Sequence, residues 1–327
     1  MVLSFFSPSG YEAKKESSIA DIVVYLPVDS KSNCKRFLDL INPEIVVFVK
    51  SEIWPNYLNE IQKRKIKSLL ICAVYSTSQM KYSILKKAVL KFDYIFTQDE
   101  KSKDLFKSIG HNNVINSGDT RFDRVSLSKN LNEDVDYIKE FLSEKDCLIA
   151  GSSWGDDHKM IVNYINTSNS ELKYIIAPHE IHREEIETLK SSINKKTVLF
   201  SELNNENIKT ASVIIVDNIG TLSKLYKYAT LAYIGGGFNG EGKLHNTLEA
   251  AVFGLPIIIG KYYIKFPEAV SMIGNGGMFS VNNAESLKNK IDELIRDKEK
   301  LQKTGALNSS FIKKKIGATQ SILTNLK

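Results

Sequence analysis

The sequence predicts an α/β protein of two tandem domains, each a parallel sheet with helices on both faces and the first incomplete at its start. Three observations carry this. Short apolar runs alternate with helical stretches along the whole chain. The 327 residues exceed what a single core usually holds. The glycine-, proline- and polar-rich loops follow strands, as ligand-binding loops do in such sheets. Hydrophobic residues make up 43% and charged residues 25%, the composition of an ordinary globular chain.

The first domain is assigned to residues 1–128. Residues 2–6 read as a strand and 7–10 as the turn after it; a helix and a second strand at 22–25 follow. Residues 30–40 are helical, Pro43 precedes the strong strand 45–49, and KSEIWPNY (50–57) closes that strand and opens a helix. Strands at 68–74, 94–97 and 114–116 alternate with helices at 78–90 and 101–109. The chain begins inside a strand with no lead-in, so the first part of the domain is expected to be missing.

GDTRFD (118–123) ends this half, and the polar run 128–136 reads as a linker. The second domain, 129–327, starts its sheet with the strand 147–150, which turns at Gly151-Ser152-Ser153. A serine in such a turn either binds phosphate or caps the next helix. A helix at 157–164, the strand 174–177, the loop Pro178-His179 and a helix from about 182 to 192 follow. Strands at 197–200 and 213–216 lead to the turn Asp217-Asn218-Ile219-Gly220-Thr221 and a helix at 222–228. After the strand 257–259 come a loop at 261–266, a helix at 284–301 and a basic, helical tail from 309.

The richest stretch is 231–256, LAYIGGGFNGEGKLHNTLEAAVFGLP. It reads as a buried strand (231–234), three glycines (235–237), a loop, and a helix opening near His245 and Asn246 that stops at Gly254. Glycines let a ligand approach the backbone, and a helix start supplies free N–H groups, so phosphate is expected there. Glu249 suits a ribose diol, as acids do in nucleotide sites. The alternative is a glycine-rich turn whose Glu249 caps its own helix; the added His-Asn-x-x-Glu-Ala and the Gly-x-Pro stop favour a ligand.

Net charge is +6 and diffuse, which suits a nucleotide, an anionic lipid surface or nucleic acid without choosing among them. Three scattered cysteines form neither a disulfide framework nor a zinc spacing, which fits a reducing compartment. The five histidines show no ligand pattern, so no metal is expected. No apolar run is long enough to span a membrane.

SEIWPN, GDTRFD, APHEIHR, DNIGTLSKLY and GGGFNGEGKLHNTLEAAVFGLP occur in that order. Together they resemble the 3-deoxy-D-manno-octulosonic acid (Kdo) transferases of Gram-negative bacteria, over nearly the whole chain. The resemblance implies GT-B architecture, two Rossmann-like domains facing a cleft. It implies transfer of Kdo from a CMP-Kdo donor to a lipid A precursor, inverting and without metal or other cofactor. It implies a peripheral position on an anionic membrane surface, the cytoplasmic face of the inner membrane, with no nucleic-acid partner. By match, Pro178 and His179, Ile219, Gly220 and Thr221, and Asn246, Thr247, Leu248 and Glu249 hold CMP, while Glu52 and Arg121 stabilise charge. Glu52 reads otherwise as a helix-start charge beside Pro55, Arg121 as an ion pair and His179 as a loop histidine.

The chain departs from the family's pattern in four places. The family usually has lysine at Arg121, an acid at Thr221 and an arginine at Pro178. Its early segment, with membrane anchor and glutamate general base, has no counterpart here. The chain as given is therefore expected to bind CMP and to transfer Kdo poorly. A UDP-sugar transferase or epimerase of the same architecture, or a non-catalytic CMP-binding fragment, are the alternatives.

Overall fold

In the computed structural model, which describes residues 1–130, 134–240 and 242–326, every apolar run read as a strand is one. The chain divides into two units, Met1–Thr120 with Gly317–Lys327, and Arg121–Ile316. The boundary expected from the sequence is 128/129, with the tail in the second domain; the structure moves the boundary to 120/121 and the tail to the first unit. Of the expected linker, residues 131–133 lie outside the described residues.

The first unit opens with β1 (Val2–Phe5), α1 (Pro8–Glu12) and β2 (Ile22–Tyr25); the two strands form a parallel pair of their own. There follow α2 (Lys31–Ile41), β3 (Ile45–Val49), α3 (Pro55–Lys63), β4 (Lys67–Ala73), α4 (Ser83–Val89), β5 (Tyr94–Thr97), α5 (Glu100–Ser108) and β6 (Val114–Asn116). β3 to β6 form a four-stranded parallel sheet in sequence order. The helix expected over 78–90 is a 3-10 turn at Gln79–Lys81 followed by α4, because Tyr82 is extended (ψ 123°).

The second unit carries α6 (Thr120–Asn130, of which Thr120 lies in the first), α7 (Ile138–Leu142), β7 (Cys147–Ser153), α8 (Gly155–Thr167), β8 (Lys173–Pro178), α9 (Arg183–Ser192), β9 (Thr197–Leu199) and β10 (Val213–Ile215). It continues with α10 (Leu222–Leu225), β11 (Leu231–Ile234), α11 (Leu248–Ala251), β12 (Ile257–Ile259), α12 (Pro267–Gly274), β13 (Met278–Ser280), α13 (Ala284–Arg296) and α14 (Lys298–Lys315). Its seven-stranded sheet is parallel throughout, in the order β13-β12-β11-β7-β8-β10-β9. The last helix, α15 (Ala318–Thr324), belongs to the first unit, where Ile322 packs on Leu69 and Phe96.

Both faces of the second sheet are covered, which explains the continuous apolar runs. Along β7, Cys147 and Ile149 enter one cluster while Leu148 and Ala150 enter the other. β11 alternates likewise, Ala232 and Ile234 against Leu231 and Tyr233. The helix expected over 284–301 is broken at Asp297, whose carboxylate accepts from the Lys300 N–H and starts α14. α12 and the edge strand β13, which supplies only three residues to the sheet, are not among the elements the sequence predicts.

The order of strands reverses between β7 and β11. From β7 the chain moves out through β8; β11 returns to the other side of β7. Such a reversal leaves a crevice at the carboxyl ends of the two strands, where ligands of open α/β sheets bind.

Candidate functional site

At that crevice β7 ends irregularly. Ser152 has φ 51° and the pairing with β8 slips between Gly151 and Ser153. The slip turns Ser153 inward, where it is 1% exposed and its hydroxyl is within 3.0 Å of His158 Nε2. Ser153 is therefore a packed, bonded residue and not an open phosphate ligand. Burial lowers the pKa of His158.

The three glycines after β11 differ from the expectation as well. The Gly236 N–H donates to Asp157 Oδ2 over 2.9 Å, and the Trp154 N–H meets the same oxygen over 2.8 Å. Tyr233 donates its hydroxyl to Asp157 Oδ1. Asp157 is wholly buried, so this internal carboxylate takes the place foreseen for a phosphate. A Cβ on Gly235 would stand 2.4 Å from Ser152 O, and one on Gly236 (φ +90°) 2.0 Å from Lys243 O. The glycines serve close backbone packing at the strand ends. Asp157 is an acid at the third position of a helix, a capping-box pattern legible in the sequence.

The loops beyond this hub remain open. α11 is shorter than expected, and Asn246 lies just before its N-cap Thr247: Asn246 Oδ1 accepts from the Leu248 N–H (3.2 Å) and its amide donates to Glu249 Oε1 (2.9 Å). Arg124 lies 3.5 Å from that same oxygen, and Oε2 has no partner among the described residues. Glu249 lines a pocket of about 100 Å³ with Arg124, Val125, Ser128, Ser223, Val252 and Phe253. Leu248 is fully buried, which leaves only its main chain to a ligand; Thr247 is 1% exposed, and its hydroxyl has no partner among the described residues. Tyr226 is buried, and burial, with the Glu249 charge second, raises its pKa.

Ser223 ties this pocket to the turn after β10. There Ile219 is 87% exposed and Gly220 (φ +94°) has open space where a Cβ would stand. The N–H groups of Ile219, Gly220 and Thr221 have no partner among the described residues. Pro178 ends β8 half-buried, and His179 follows it, exposed, with its ring 4.3 Å from that of His245. The segments 178–179, 219–221 and 246–249 thus all lie at the carboxyl edge of one sheet, linked by His179–His245 on one side and Ser223–Glu249 on the other.

Arg121, in the first turn of α6, forms an ion pair with Glu268 at 3.0 Å, both in the second unit. This is the ion pair the sequence left open. Glu52 lies in the first unit after β3, exposed, and accepts from the Trp54 indole N–H over 2.8 Å. Its carboxylate ranks after burial in raising the pKa of Tyr75. Among the described residues, no group of three His, Cys, Asp or Glu is placed to hold a metal, and no helix is long and apolar enough to cross a membrane.

Residues 1–124 match the family model for 3-deoxy-D-manno-octulosonic-acid transferase, and residues 169–308 match glycosyl transferases group 1. The chain is 28% identical to a bifunctional glycosyltransferase/methyltransferase of Fusobacterium nucleatum, over 91% of its own length and 48% of that protein's. It is 29% identical to a 3-deoxy-D-manno-octulosonic acid transferase of Aquifex aeolicus (92% of this chain, 80% of that one). The corresponding figure for the Haemophilus influenzae transferase is 26% (98% and 78%). The chain thus spans about half of the first relative and about four fifths of the other two. Among solved structures it is similar to UDP-GlcNAc 2-epimerase from Neisseria meningitidis (TM-score 0.65, 15% identity, 99% of this chain, 90% of that one). It is also similar to MurG from Acinetobacter baumannii (TM-score 0.58, 11% identity, 98% and 88%). These likenesses establish the GT-B fold.

Proposed function

We propose that the chain, whose residues 1–124 match the Kdo transferase model and whose relatives include Kdo transferases 26–29% identical to it, is a glycosyltransferase that transfers Kdo from CMP-Kdo to a lipid A precursor, with inversion and without a metal. The observation that carries the donor half is the convergence of residues 178–179, 219–221 and 246–249 at one sheet edge. The ribose hydroxyls of CMP take the open oxygen of Glu249, which Asn246 orients. The phosphate takes the unengaged N–H groups of residues 219–221 and the imidazole of His179. Asp157 excludes the phosphate from the glycine turn itself, since a buried carboxylate already holds its N–H. As the bond to Kdo breaks, negative charge grows on the departing CMP, and donors already in position stabilise it without reorganising. Arg121 adds positive charge tempered by Glu268, and Glu52 keeps the charge-stabilising role that the family resemblance implies.

For the acceptor half, residues 79–91 carry Lys81, Lys86, Lys87 and Lys91 and no carboxylate. Tyr82 and Ile84 beside them are 68% and 62% exposed. A pocket of about 360 Å³ opens here, lined by Met80, Leu90, Leu105 and Ile109 with Lys86 and Lys87. Apolar side chains ringed by ammonium groups suit an anionic lipid leaflet.

The deciding experiment offers the protein CMP-Kdo, UDP-GlcNAc and UDP-glucose, each with lipid A precursor in anionic vesicles, and follows nucleotide release. Precursor-dependent release of CMP alone supports the proposal; release of UDP instead would defeat it.

A further inference from the structure

A three-ring cluster at the switch point is only partly used by the reading above. Trp154 and His245 are nearly coplanar (17°), their centroids 6.1 Å apart, and the indole N–H donates to His245 Nε2 over 2.7 Å. The two rings form one plate joined edge to edge. His179 stacks on it, 4.5 Å from Trp154 and 4.3 Å from His245. Its ring nitrogens have no partner among the described residues, and its backbone N–H is fixed to Ser153 O over 2.9 Å. An exposed histidine held only by its main chain would sample several rotamers; the plate selects one.

An imidazole nitrogen that accepts from an indole carries no proton, so His245 is neutral with its proton on Nδ1. Burial, and then His179, hold its pKa down to about 4. The other charged groups of the cluster are few. Lys243 Nζ lies 5.3 Å over the Trp154 ring, His158 is bonded to Ser153, and Asp157 accepts from the Trp154 N–H. Glu180 follows His179 in the chain, and Glu249 is engaged by Asn246 and Arg124. Two imidazolium rings 4.3 Å apart would repel.

We propose that Trp154 is a positioning residue: by engaging His245 Nε2 and stacking on His179, it makes His179 the one proton-binding, anion-facing imidazole of the site. The identity of the anion rests on the donor reading above; the arrangement of the rings does not.

The test uses the full chain labelled at its histidines with 15N and follows both imidazoles by NMR from about pH 8 to 5, across the ordinary histidine range. His245 is expected to stay neutral on the Nδ1–H tautomer across this range. In Trp154→Phe, which keeps a ring and loses the N–H, His245 is expected to titrate toward its ordinary range. A native His245 protonated on Nε2, or a variant with both curves unchanged, would overturn the proposal. CMP titrations at about pH 6 and 8 form the second arm, with the variant losing roughly tenfold in affinity, 1.4 kcal/mol, at the lower pH and less at the higher. An equal loss at both, which a merely structural role would give, also overturns it. Failure of the native chain to bind CMP would sink the donor reading, while the imidazole curves still decide the role of Trp154.

Discussion

In the turn at residues 235–237 the Gly236 N–H donates to Asp157 and the glycines lie against neighbouring backbone. In the turn at residues 219–221 the N–H groups have no described partner, Ile219 is 87% exposed, and Gly220 meets nothing. The two turns leave the same edge of one sheet, with β7 and β8 between their strands, yet one is closed and the other open. Glycine density marks where backbones must touch, and an internal carboxylate can fill the hole so formed. A ligand is left with the neighbouring turns, whose groups are not already engaged.

That contrast can be broken most severely at Asp157. Its replacement by alanine orphans two N–H groups and the Tyr233 hydroxyl in a buried place. The expected loss is about 3–5 kcal/mol in urea denaturation; a loss under about 1 kcal/mol would remove Asp157 as the hub.

The glycines come next. Gly220→Ala strains only its own φ and should cost about 1 kcal/mol. Gly236→Ala adds a collision with Lys243 O and should cost at least about 1 kcal/mol more. CMP affinity should show the opposite ranking, falling in Gly220→Ala and persisting in Gly236→Ala while that variant remains folded. Equal stabilities, or equal affinities, would erase the contrast.

Acid sharpens it further. His158 and His245 have folded pKa values below their unfolded value. The unfolded chain therefore binds more protons as pH falls below about 6.5, and stability present above that value is lost on going down toward 4. Melting curves across this window should show stability rising with pH, by on the order of 1 kcal/mol after solvent screening. A flat profile would mean that neither ring is held neutral. The smallest effect is expected at Arg121, whose replacement by alanine removes a partly exposed pair and should cost at most about 1 kcal/mol. A larger loss would make it a fold residue first.

Much of the framework was readable because both faces of each β7 and β11 neighbour are buried and leave unbroken apolar runs. What escaped depended on single polar atoms or on contacts distant in sequence. Asp297 interrupts an unbroken helical pattern with one cap, and α15 joins the first unit through Ile322, whose partners lie far away in sequence. At the site, the segments 219–221 and 246–249 were legible as loops after strands, but their separation from the glycine turn was not. It follows from Asp157 and from the slip at Ser152, which only the paired backbones reveal. Trp154 gave no signal at all, since its role lies in a bond to His245 across 91 residues.

Calorimetric titration of the native chain and of Glu249→Gln with CMP and with UDP tests the central claim most directly. The account predicts that CMP binds at least about tenfold more tightly than UDP, a difference of 1.4 kcal/mol, and that the substitution removes most of that affinity. UDP binding as tightly as CMP, or CMP binding untouched by the loss of the Glu249 charge, would contradict it.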